Sequence, residues 1–110
     1  MTEAQITKAV LQHWRSLGRP GTLVASIPNM GARGQYGLTK GLPDVIVLSP
    51  ELPVGFIEIK TDKGRIRPEQ QDFAAMCDAL HIHHAITRGR DEPIRILEAW
   101  GVTKPAGVVS

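Results

Sequence analysis

Cysteine is almost missing from this 110-residue chain, where Cys77 stands alone. A lone thiol excludes an intramolecular disulfide and every cysteine-based zinc finger. Long apolar runs are missing too, so no segment approaches the roughly 20 residues that a membrane-crossing helix needs. The first residues lack the pattern of a secretory signal, and the expectation is a cytoplasmic protein with no membrane contact. Charge of one sign is also missing: thirteen Lys and Arg against eleven Asp and Glu leave +2, which by itself says little about a polyanionic partner. There is no internal repeat and no linker. What remains, 42% hydrophobic and 22% charged residues, is the composition of a folded globular chain rather than a disordered one. One domain over residues 1–103 with a flexible tail over 104–110 is expected.

The pattern along the chain gives the elements. Thr2-Glu3-Ala4-Gln5 fits a capping box, and Ile6, Val10, Trp14 and Leu17 recur at helical spacing until Gly18 and Pro20 stop the helix. Leu23 to Ile27 reads as a short strand. Residues 28–43 form a long Gly-rich connection, of a length that is usually functional or mobile inside a compact domain. Two β-branched runs follow, on either side of Ser49-Pro50-Glu51-Leu52-Pro53, which reads as a turn. Pro68 suits the first turn of a second helix with Phe73, Met76, Cys77 and Leu80 as its apolar stripe, and Cys77 reads as a small core residue. His81 to Thr87 is a further strand. Asp91-Glu92-Pro93 opens a last helix with Ile94, Leu97 and Trp100 inward. The order predicts an α/β fold, a small mixed sheet flanked by helices.

The two central runs carry the chemistry. Paired as a hairpin about Glu51, their opposed residue numbers total about 102, which sets Asp44 at the mouth of the first strand against Glu58 on the second. Period-two alternation puts Glu58 and Lys60 on one face. Two carboxylates and an ammonium then converge, a set that suits a hard divalent cation with its demand for oxygen ligands. A charge within Phe56-Ile57-Glu58-Ile59 needs a partner if that face is covered. Arg33, Lys40, Lys60, Lys63, Arg65 and Arg67 gather around this centre, six of the thirteen cations, and a basic rim suits a phosphate backbone approaching a metal.

Bland readings stand beside these. Glu3 can reach the edge of the site from the stripe of the first helix, or it can be a first-turn acid favoured by the helix dipole. Gln70, three residues before Phe73, faces inward, while glutamines near helix starts are commonly on the surface. Lys63, Arg65 and Arg67 can be a solvated loop. Tyr36, with Arg33 and Lys40, can grip nucleic acid or merely decorate a flexible loop. His81 and His83 share a strand face at a spacing open to transition metals, yet no third ligand accompanies them.

Glu3, then Gly41-Leu42-Pro43-Asp44, then Glu58-Ile59-Lys60-Thr61, then Gly64-Arg65-Ile66-Arg67-Pro68-Glu69-Gln70 with Phe73 resembles the PD-(D/E)XK nuclease superfamily. Within it the chain is similar to the stand-alone VRR-NUC domain of phages and bacteria. The resemblance runs from Glu3 to about Thr87. It implies a restriction-endonuclease-like αβββαβ core and metal-dependent hydrolysis of a phosphodiester. Asp44, Glu58 and the backbone carbonyl of Ile59 would hold Mg²⁺ or Mn²⁺, with Glu3 available for a second ion or its waters. Lys60 would orient and deprotonate the attacking water, Gln70 would position Lys60 or that water, and Arg33, Lys40, Lys63, Arg65 and Arg67 would steer the DNA backbone.

Stand-alone members resemble structure-selective enzymes for branched DNA such as four-way (Holliday) junctions. Symmetric cutting of two strands implies a homodimer, to whose surface Trp14, Trp100 or Met30 could contribute. Three rivals remain open on the sequence: a nickase, flap or restriction-type relative, a non-catalytic DNA-binding module of the same fold, and a histidine-based metal protein.

Overall fold

A computed structural model describes residues 1–28 and 40–105. The expectations placed on Met30, Arg33 and Tyr36, on the middle of the Gly-rich connection and on the end of the tail fall outside those residues. The first helix, α1 (Glu3–Leu17), begins where the sequence says it should. Thr2 Oγ1 accepts from the Gln5 N–H at 3.1 Å, and the Thr2 N–H donates to Gln5 Oε1 at 2.8 Å. Two of the donors orphaned at the helix start are satisfied reciprocally.

Four strands form one sheet in the order β1 (Leu23–Ser26), β2 (Val45–Ser49), β3 (Leu52–Lys60), β4 (His83–Arg88). The first three are antiparallel neighbours, whereas β4 lies parallel to β3. A parallel neighbour needs a crossover, and α2 (Pro68–Ala79) supplies it. α3 (Asp91–Ala99) follows β4. Among the described residues no helix is long and apolar enough to cross a membrane.

The hairpin register is the one the sequence predicts, with Val45 opposite Ile57, Ile46 opposite Phe56 and Val47 opposite Gly55. The turn is tighter than predicted. β3 already begins at Leu52 and contains Pro53, which the sequence assigned to the turn. A register shift between Val47 and Ser49 and the start of β4 pairing only at Gly55 explain this, because neither neighbour asks Pro53 for an N–H.

The two faces of the sheet are covered differently. Val24, Val45, Val47, Ile57 and Ile59 meet Ile6 and Val10 of α1, Leu97 of α3, and Val102, forming the dry core. On the opposite face α2 sets the Phe73 ring edge-on against Phe56, centroids 5.2 Å apart, and tilted against His84 at 5.7 Å. Cys77 is buried there as expected, but Met76 and Leu80 are 59% and 60% exposed. The predicted stripe is only half used because α2 lies over β3 and β4. The Leu23 and Leu48 partners of β1 and β2 are left exposed on the same face as Phe56. In α3 the buried positions are Pro93 and Leu97, with Ile96 and Trp100 packed against the core, so Ile94 is displaced from its predicted inward place. At the other end the Lys104 N–H donates to Leu17 O, tying the start of the tail to α1.

Candidate active site

β3 ends as an alternation of two chemistries. Ile57 and Ile59 point into the dry core, while Glu58 and Lys60 point to the α2 face. Covered by that helix, Glu58 is 2% and Lys60 4% exposed. Extending the ladder one step beyond Val45–Ile57 sets Asp44 against Glu58. The two carboxylates and Lys60 line one cleft of about 330 Å³ with Lys40, Arg67 and Gln70.

Asp44 is fixed by the backbone: its Oδ2 accepts from the Ile59 N–H at 2.7 Å. Backbone groups of successive strand residues point to alternate sides. The carbonyls of Glu58 and Lys60 turn toward β4, accepting from the Thr87 hydroxyl at 3.0 Å and the Gly89 N–H at 2.9 Å. The groups of Ile59 therefore turn to the β2 side. Its N–H meets Asp44 there, and its carbonyl faces the carboxylate side of the strand. Gly41 shapes the opposite wall. With φ at +90° and a Cβ position only 2.5 Å from Glu69 O, it admits no side chain, and the segment leading to Asp44 closes directly onto the first turn of α2.

Electrostatics at this point are strained. Burial pushes the Glu58 carboxyl up to about 9, helped by its hydrogen bond with Asp44, the Asp44 charge and, more weakly, Glu3, against the opposing Lys60 ammonium. Two carboxylates this close cannot both ionise cheaply, which favours the neutral form of the Glu58 carboxyl. Glu58 Oε2 is buried and has no hydrogen-bond partner among the described residues. An orphaned carboxylate oxygen beside a second carboxylate and a strand carbonyl is an all-oxygen donor set, which fits a hard divalent cation.

Glu3 reaches the cleft from the first turn of α1, as its place on the helical stripe allowed. It does not complete a preformed ligand cluster, since no group of three or more His, Cys, Asp or Glu able to hold a metal exists among the described residues. Gln70 faces the cleft, and its Oε1 accepts from the Arg67 N–H at 2.9 Å, so its amide nitrogen is the group it can offer inward. Lys40 and Arg67 line the cleft. Lys63 and Arg65 are exposed on the segment after β3 and outside its lining, and Arg33 lies beyond the described residues.

The histidines do not form a second centre. His81 sits in a turn with φ at +58°, ahead of β4 rather than within it. His83 packs edge-on against Trp100 at 5.6 Å, and burial lowers the His84 pKa. Sequence reasoning missed Glu69, which lines the cleft, and Thr87, whose hydroxyl fastens the Glu58 carbonyl. Both depend on which strand β4 joins, and no local pattern reports that.

The chain matches the family model for the VRR-NUC domain over residues 1–91. A solved structure described as a VRR_NUC domain protein superposes with a TM-score of 0.76 at 20% identity, covering 91% of this chain and 88% of that one. A second, described as a VRR_NUC domain, gives 0.65 at 18% identity, covering 89% and 97%. No curated protein matches the sequence.

Proposed function

Since the chain belongs to the VRR-NUC family of DNA nuclease domains, we propose that it is a Mg²⁺- or Mn²⁺-dependent endonuclease acting on branched DNA, four-way junctions foremost. The observation that carries this reading is the pairing of half-buried Asp44 with buried Glu58, one Glu58 oxygen having no partner among the described residues, beside Lys60.

Asp44, Glu58 and the Ile59 carbonyl are the groups that would hold the cation, with Glu3 extending the carboxylate set on the open side. A bound divalent ion supplies Lewis-acid polarisation of the scissile phosphate and acidifies a water. The protein's own groups do the rest. Lys40 and Arg67 bring the phosphate backbone into the cleft against its acidic floor. The Lys60 ammonium, held on the carboxylate face, orients the attacking water and offsets negative charge as it builds on the phosphoryl oxygens. The Gln70 amide donates to the water or to a phosphate oxygen. The Ile59 N–H keeps the Asp44 carboxylate aimed for its role. Hydrolysis leaves a 5′-phosphate and a 3′-hydroxyl.

The substrate reading rests on size and symmetry. Among the described residues no element is recognisable as a reader of base edges, which favours selectivity by the shape of the DNA. Cutting both strands of a junction needs two sites, hence a homodimer. The exposed neighbours Leu23 and Leu48 are apolar surface that a second copy would cover.

The test compares wild type and Asp44→Asn on linear, nicked, flap and four-way DNA with Mn²⁺, with and without EDTA. We expect junction cleavage by wild type alone, abolished by EDTA and reduced on the order of a thousandfold by Asp44→Asn, with DNA binding retained. Equal cleavage by the two proteins would falsify the assignment, and binding without cleavage by either would favour a non-catalytic module.

A further inference from the structure

We propose that Arg88 is a positioning residue, which holds the catalytic lysine of the proposed nuclease in place through the turn that follows it. The chain leaves the sheet at Lys60 and folds at once into a turn closed by the Gly64 N–H donating to Thr61 O at 3.1 Å. The carbonyls of that turn converge on one atom. Arg88 Nη1 donates to Gly64 O at 2.7 Å, to Thr61 O at 3.0 Å and to Asp62 O at 3.3 Å. On either side of it in sequence, Thr87 and Gly89 fasten the carbonyls of Glu58 and Lys60. Three consecutive residues of the β4 end thus fix the backbone from Glu58 to Gly64.

The connection to Lys60 runs through Gly64. A Cβ on Gly64 would stand 3.4 Å from Lys60 Cδ and 3.2 Å from Thr61 Oγ1, so the Gly64 backbone lies against the stem of the lysine. The shortest of the three guanidinium bonds is the one to Gly64 O. Arg88 presses the turn onto the lysine, and the lysine has no room to swing away from the carboxylates. A lysine at position 88 would keep the charge, but its side chain is one atom shorter and its ammonium stops short of the point where Nη1 meets the three carbonyls.

This inference rests on the nuclease reading, and its test separates the two. Arg88→Lys is expected to lower kcat about tenfold while KM stays within twofold, and to speed hydrogen exchange at the Gly64 amide with the far-UV spectrum unchanged. Gly64→Ala, which disturbs the same path from its other end, is expected to lower kcat similarly, and the double variant to lose less than the product of the two losses. Wild-type kcat in Arg88→Lys, a loss confined to KM, or strictly multiplicative losses in the double variant would each overturn the positioning role. The exchange measurement needs no cleavage. Unchanged Gly64 exchange overturns the inference even if the wild type cuts nothing, whereas accelerated exchange in a protein that cuts no DNA strikes the nuclease reading alone.

Discussion

Residues 57 and 59 of β3 are isoleucines sealed in the dry core, while residues 58 and 60, equally hidden, are a glutamate and a lysine. The two faces of one strand are buried to the same extent and for opposite ends. On the first face burial is cohesive: apolar area leaves water against α1 and α3. On the second it is adverse, since it raises the Glu58 carboxyl to about 9 and leaves one oxygen without a partner among the described residues. The cohesive face holds the adverse one together, which is how a small domain can maintain a strained carboxylate pair.

The comparison can be broken most severely at Glu58. Glu58→Gln should reduce the proposed junction cleavage on the order of a thousandfold, since it removes one of the groups proposed to hold the cation. The same variant should be more stable than wild type in EDTA at pH 8. The sign follows from the direction of the shift. A carboxyl held at about 9 in the folded chain, against an ordinary 4.5, favours folding fully below 4.5 and loses that contribution as pH rises toward 9. Thermal melts of the metal-free wild type should therefore fall across that window. The amide introduced by Glu58→Gln has no such titration, and melts of that variant at pH 8 should lie higher by about 5 °C or more. Equal pH profiles for the two proteins would show that the pair is not strained.

On the cohesive face, Ile59→Ala should cost about 2–5 kcal/mol in a urea titration through the cavity it leaves, with activity lost only as far as the fold is lost. A catalytic defect in fully folded Ile59→Ala would mean that the two faces are not separable. The smallest effect belongs to the rim. Lys63→Ala should weaken DNA binding a few-fold and reduce the slope of log affinity against log salt by about one, leaving kcat nearly intact. A thousandfold loss of kcat there would move Lys63 from docking to chemistry.

Much of this contrast was legible beforehand. The hairpin register follows from where Pro50 and Glu51 break two β-branched runs, and register fixes the meeting of Asp44 with Glu58 and the shared face of Glu58 and Lys60. The α1 cap was legible because its partners lie three residues apart. What stayed hidden depends on distant parts of the chain. Periodicity made Met76 and Leu80 core residues, but it cannot say how much of a sheet a helix will cover. Pro53 looked like a strand breaker because the register shift that accommodates it belongs to the pairing rather than to the residue. Nothing local marks Arg88, because only the parallel docking of β4 brings it to the 61–64 turn.

That docking also sets an order of assembly. Asp44 and Ile59, 15 residues apart, meet inside a hairpin that can close as soon as it is made, whereas Arg88 reaches Thr61 across 27 residues and a whole crossover helix. On a chain emerging from the ribosome, the acidic pair would come together before the clamp that steadies its lysine. Competence to cut would then wait for β4, the strand that brings Arg88 to the turn.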